Sequence, residues 1–249
     1  MTKKPRTNVN GLLAVLFWGL VWQAGAMLLG NPLLLPTPVQ VVQRLLDLTV
    51  TAAFWQITFA SIGRILMGVV WGVGLGVLLA VLTCNSRLLE MLIAPAMTAM
   101  QATPVASFSI LVLIWLDRDF VPVLICAMMV LPVIWNSVST GIREVDVQLL
   151  EMAKVYRLSK AVTLKRIWIP SVKPFFRSSC ISALSLGWKA GIAAEVLTVP
   201  KQSIGKMLSE GKLYLMIDDL FAWTLVVVAL SLLLQKLMLL LLRGGNADA

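Results

Sequence analysis

An all-α integral membrane protein with about six transmembrane helices is the fold this sequence predicts, and three observations predict it. Of 249 residues, 59% are apolar and 13% are charged, whereas a soluble domain is near half apolar and a quarter charged. The apolar residues gather in runs of about 20, the length of helix that crosses a ~30 Å hydrocarbon core. Prolines and basic residues fall mostly between those runs or at their ends.

Taken in chain order, the predicted spans are residues 10–30, 55–82, 89–116, 120–140, 176–199 and 220–242, within a single transmembrane domain, 1–249. The first is read as retained. A cleaved leader would use Lys3, Lys4 and Arg6 with a cleavage site at Ala24-Gly25-Ala26, but the apolar run continues through Met27-Leu28-Leu29. Between spans one and two, residues 38–49 place Val39, Val42, Leu45 and Leu46 on one helical face. Gln40, Gln43, Arg44 and Asp47 lie on another, the pattern of an interfacial helix. The third run holds Pro95 and Pro104, so its first half is a candidate interfacial helix. Thr103, Ser107 and Ser109 lie beside Pro104, where hydroxyls can re-satisfy freed backbone groups. The fourth holds Pro132, with Asn136 and Ser137 one turn on. Broken helices with small polar residues line pathways in transporters, and simple packing kinks would carry the same residues.

Basic residues orient the bundle. With six spans, the side bearing both termini and loops two and four holds fourteen Lys and Arg, among them Lys3, Arg87, Arg143, Lys154 and Arg243. The other side holds five, Arg44, Arg118, Lys201, Lys206 and Lys212. Both termini are therefore expected in the cytoplasm. The net charge of +9 lies mainly between spans and forms no nucleic-acid-binding motif. Histidine is absent, which removes the commonest general base and metal ligand, and no catalytic or metal site is expected. Cys84, Cys126 and Cys180 have no metal spacing and read as packed free thiols.

The segment 141–175 between spans four and five is the largest expected cytoplasmic loop, and it is basic and amphipathic. Asp146 is placed to cap a helix carrying Leu149, Leu150, Ala153 and Val155, and Ser159 to cap a second carrying Val162, Leu164 and Ile167. Pro170 and Pro174 are expected to stop regular structure before the fifth span. Exposed apolar ridges on such helices seek a partner groove or the lipid surface. The chain lacks a phosphate-cradling glycine loop followed by Lys-Ser/Thr, so work reaches it through a contact.

The pattern Glu151-Met152-Ala153, Arg157, then Ile167-Trp168-Ile169-Pro170 resembles the EAA loop of permease subunits in bacterial ATP-binding-cassette (ABC) importers. The nitrate/sulfonate/taurine group is most similar, through Leu35-Pro36-Thr37-Pro38, Ser61-Ile62-Gly63-Arg64 with Gly68, Pro95 to Pro104, and Trp188 to Glu195. The likeness covers nearly the whole chain. Met152 and Ile169 depart from its usual residues, and Arg157 stands where the family has the glycine that makes the turn, so another turn geometry is expected there. The resemblance implies a homodimer in the bacterial inner membrane, bound to two ATPase subunits that carry ATP and Mg, and fed by an extracytoplasmic substrate-binding protein. It also implies a coupling helix, with Leu149, Leu150, Glu151, Ala153, Val155, Tyr156, Arg157 and Leu158 as candidate ATPase-coupling residues.

Arg64, Lys189 and Glu195 lie within spans, where a charge costs at least ~2.5–3.5 kcal/mol. Either Arg64 or Lys189 faces a pathway and favours an anionic solute, or each pairs with Glu195 or a neighbouring carbonyl. With Thr103, Ser107 and Asn136 they complete the pathway candidates. The expected function is a catalytically silent permease subunit of an ATP-driven importer, working by alternating access. A passive channel or membrane scaffold without an ATPase is the alternative.

Overall fold

Residues 7–243 are described by the computed structural model, and no strand occurs among them. Lys3, Lys4 and Arg6, on which the leader alternative and part of the charge count rest, lie outside those residues.

The first apolar run is one helix, α1 (Thr7–Leu29), closed by Gly30 at φ 58°. The helix expected over residues 38–49 forms as α2 (Pro38–Thr49). Thr37 Oγ1 accepts from Gln40 N at 3.3 Å, Gln40 Oε1 accepts from Thr37 N at 2.8 Å, and Pro38 sits in the first turn. This reciprocal cap satisfies two otherwise orphaned donors. Trp22 of α1 donates to Pro36 O at 3.0 Å, tying α1 to the start of α2.

The centre of the bundle is three helices: α3 (Ala52–Asn85), α6 (Val121–Arg143) and α9 (Ile169–Thr198). Their close approach is written in glycines. Gly68, Gly72 and Gly76 recur every fourth residue on α3, so they share one face. A Cβ on them would lie 2.7 Å from Cys126 Cβ, 2.7 Å from Val130 Cβ and 2.9 Å from Ile134 Cβ, all on α6. Gly187 and Gly191 of α9 meet Val130 and Ile65 in the same way. Small residues at such spacing let backbones of membrane helices touch and gain dispersion energy. Trp188 fills the space beside them and donates to Val227 O at 3.2 Å. That carbonyl belongs to α11 (Ile217–Arg243), which packs on the outside of the bundle: 6% of its most apolar window is buried, against 61% for α6.

The third predicted span, 89–116, is corrected. It is not one helix but α4 (Arg87–Ala102) and α5 (Val105–Val112), parted at Thr103-Pro104. Proline disfavours the helical region for the residue before it, and Thr103 sits at φ −74°, ψ 122°. Pro95 and Pro132 remain inside α4 and α6. Four helical stretches among the described residues are long and apolar enough to cross a membrane: 52–85, 121–143, 160–198 and 217–242. The apolar part of α1, Leu13–Leu29, is shorter.

A second correction concerns Pro170 and Pro174, which do not stop the chain's regular structure. After α7 (Val147–Val155) and α8 (Lys160–Thr163), a π-helical turn at Leu164–Trp168 runs straight into α9. Pro170 removes a donor and its ring crowds the carbonyl four residues back. The wider turn gives that ring room, with Ile169 N donating five residues back to Leu164 O. On the opposite end of the bundle, α10 (Ile204–Leu213) begins at Ser203, whose Oγ accepts from Lys206 N at 3.0 Å.

Candidate functional site

The loop between α6 and α9 builds a surface from its own small core. Val145, Ala153 and Ile167 are buried together, with Leu150 and Trp168 packed against them. Asp146 Oδ1 accepts from Gln148 N at 2.8 Å and starts α7. The end of α7 is a Schellman turn: Leu158 N donates to Ala153 O at 2.9 Å and Arg157 N to Lys154 O at 3.1 Å, with Arg157 at φ 51°. The expectation of another turn geometry is therefore corrected. Arginine adopts the left-handed conformation that glycine would supply, at a cost of roughly 1–2 kcal/mol. Arg157→Gly is expected to stabilise the loop by about that amount, seen as slower hydrogen exchange at the Arg157 and Leu158 amides. Unchanged or faster exchange would show that the arginine side chain holds the turn.

The eight coupling candidates divide by direction. Ala153 and Leu150 face inward and hold the loop together, so Leu150 does not belong to the outer ridge. Val155 (78% exposed) and Tyr156 (73% exposed) stand furthest out, with Leu149, Met152 and Leu158 beside them. Glu151 is exposed and pairs with no described residue, so it does not fix the turn. Arg143 at the end of α6 donates to Glu90 of α4 at 2.6 Å, which braces the base of the loop.

A second polar cluster lies at the far end of the bundle, roughly 36 Å along α3 from its last turn. Glu195, fully buried on α9, accepts from Ser61 Oγ at 2.8 Å, Arg64 Nε at 3.0 Å and Gly205 N at 3.2 Å. Ser61 Oγ in turn accepts from Ile204 N at 2.9 Å. Arg64 also donates to Gln202 O and lies 3.6 Å from Asp119. The cluster joins α3, α9, the start of α10 and the α5–α6 loop. Gly205 has to be glycine there, because a Cβ would fall 2.3 Å from the Glu195 carbonyl carbon. Val199, at φ 49°, makes the sharp exit from α9 that brings α10 back onto the cluster. For a β-branched residue that conformation is a true outlier. Nearby, Arg44 of α2 donates two hydrogen bonds to Asp219 at the start of α11. Those bonds hold its guanidinium above its ordinary pKa against a smaller effect of burial.

The pathway candidates divide as well. Arg64 and Glu195 are committed to each other, so the pairing reading holds for both. Thr103 sits at the α4–α5 break and donates to Ala99 O at 2.7 Å. Ser107, Asn136 and Lys189 are exposed on the faces of α5, α6 and α9, and Lys189 pairs with no described residue. Sequence reasoning missed Ser61, Gln202 and Gly205 as members of the cluster. Ser61 was visible only within the Ser-Ile-Gly-Arg stretch, and the backbone partners carry no sequence signal.

Fold and surfaces together define a multi-pass helical membrane subunit, closely packed through glycines, that presents an unpartnered apolar ridge on one loop. Residues 72–244 match the family described as binding-protein-dependent transport system inner membrane component, and the chain belongs to that family. It is a permease of the nitrate/sulfonate/taurine type, a transport class rather than an enzyme class. It is 24% identical to the putative aliphatic sulfonates transport permease protein SsuC of Bacillus subtilis, over 97% of this chain and 89% of that protein. It is 24% identical to the taurine transport system permease protein TauC of Escherichia coli, over 90% and 83%. With the riboflavin transport system permease protein RibX of Chloroflexus aurantiacus it shares 28% over 90% and 82%.

Proposed function

We propose that this permease imports a small anionic solute, sulfonate- or nitrate-like, by alternating access driven by two ATPase subunits. The observation that carries the reading is the Val155-Tyr156 ridge, exposed, apolar and held on a rigid two-helix loop. Such a ridge fits a groove on a soluble subunit. The loop runs through a continuous helix, 160–198, into the bundle's centre, so a push on the ridge moves α9 as a rigid body. ATP and Mg are carried by the partner. A second copy of the chain completes the pathway, and a substrate-binding protein delivers solute at the α10 end. Both termini and the loop face the cytoplasm, as the basic residues of the loops favour. SsuC and TauC, by their names, support the anion, whereas RibX shows that such permeases differ in solute.

The test is co-expression with an ATPase subunit encoded beside it. The expected result is a stable complex in detergent and uptake that stops when the ATPase's phosphate-binding lysine is replaced. Flux that persists without the ATPase would make the chain a passive channel instead.

A further inference from the structure

Lys189 is a charge that the fold leaves unanswered. It is exposed on α9 and has neither a hydrogen bond nor an ion pair to any described residue. It lies nine residues before the end of α9 at Thr198, roughly 13 Å along the axis. A lysine that faces lipid survives by snorkelling to the nearer surface. The geometry is wrong for that here, since a helical side chain leans toward the helix N-terminus, which carries the ammonium away from its nearer end. One turn to either side lie Ser185, whose hydroxyl donates to Ile181 O at 2.9 Å, and exposed Ala193, with Leu186 exposed beside them. The exposed stripe of α9 runs through Ser182, Leu186, Lys189, Ala193 and Leu197, so the ammonium is its one charge. The acid nearest in sequence, Glu195, is buried and held by Arg64, Ser61 and Gly205, so it does not neutralise the lysine. Lipid would meet this face as a charge without a counter-ion, whereas water and an anion would match it.

From this we infer that Lys189 is the anion-binding residue of the translocation pathway: an ammonium within the membrane, unpaired among the described residues, that takes the negative group of the passing solute. The inference rests on the reading of the chain as an importer of anions. A lysine is suited to brief capture, being a flexible point charge rather than the rigid two-pronged donor of arginine.

Thiol labelling of the full-length chain in native membranes tests it without knowledge of the solute. Cys84, Cys126 and Cys180 are first replaced by alanine, and Ser185→Cys or Ala193→Cys serves as reporter. Each is treated with an anionic sulfonatoethyl and a cationic trimethylammonioethyl methanethiosulfonate. Both reporters should react, and Ser185→Cys should favour the anionic reagent. Adding Lys189→Gln should lower that preference at least tenfold and adding Lys189→Arg should keep it, as expected for one charge about 6 Å away. Reporters that react with neither reagent would overturn the inference, because the face would be covered by lipid or protein. A preference unchanged by Lys189→Gln would also overturn it, as a carboxylate from a second copy would then hold the lysine. Loss of ATPase association in the separate test above would sink the importer reading without altering these rates, so the two failures are distinguishable.

Discussion

Glu195→Ala is expected to lower the thermal unfolding midpoint of the detergent-purified chain by on the order of 10 °C. The substitution removes the acceptor of three hydrogen bonds and leaves the Arg64 guanidinium without its buried counter-charge. Removing one partner of a buried pair costs about 3–5 kcal/mol, much of it from the charge left behind, and 1 kcal/mol moves a chain of this size by roughly 2–4 °C. The pair itself is not an equally large gain, since both charges lost their water to form it. Replacing both, as Arg64→Leu with Glu195→Leu, should therefore recover part of the loss. Full recovery is not expected, because Gly205 N would stay buried without an acceptor. A midpoint for Glu195→Ala within 2 °C of the unmodified chain would mean that the cluster does not hold α10 to α3 and α9.

That cluster also marks how far the sequence could be read. The apolar runs are long enough to announce the helices. Short-range chemistry announced two of their starts: Asp146 before α7 and Ser159 before α8. These signals are local, the side chain and the amide it caps lying two or three residues apart. The division of the third run at Thr103-Pro104 was signalled by its proline, yet hydropathy over a window of span length averages across one extended residue. Pro170 and Pro174 misled in the opposite sense, because a π-helical turn upstream gives the Pro170 ring room and Pro174 is carried inside α9. Arg157 shows the remaining gap. Glycine in the family's pattern points to φ > 0, but an arginine can be forced there when the Schellman bonds and the buried Ala153 outweigh the strain. The pairing of Arg64 with Glu195 joins residues 131 positions apart. Charge type made it one of two readings, and only the contact between α3 and α9 separated them.

Replacing both Val155 and Tyr156 with alanine is expected to weaken the affinity of the purified permease for its ATPase subunit at least about tenfold, and to reduce ATP-driven uptake in proportion. The thermal midpoint of the free permease should stay unchanged, since both side chains are largely solvent-exposed and such substitutions usually alter stability by less than 0.5 kcal/mol. Binding energy at protein interfaces concentrates in a few apolar or aromatic anchors that fill a partner's pocket, each worth about 2 kcal/mol or more. Tyr156 is the sole aromatic side chain among the exposed ridge residues, and Val155 is the most exposed of them. Two controls separate docking from folding. Leu150→Ala acts on the loop's inner core of Val145, Ala153 and Ile167, so it should lower stability and affect affinity only through that loss. Val50→Ala, on the connection between α2 and α3 and 88% exposed, should change neither. Affinity retained by the Val155/Tyr156 double variant, measured by biolayer interferometry against the immobilised ATPase, would remove the ridge from the coupling surface. It would direct attention to Glu151 and the basic residues around it, whose contribution would reveal itself as affinity that falls with rising salt.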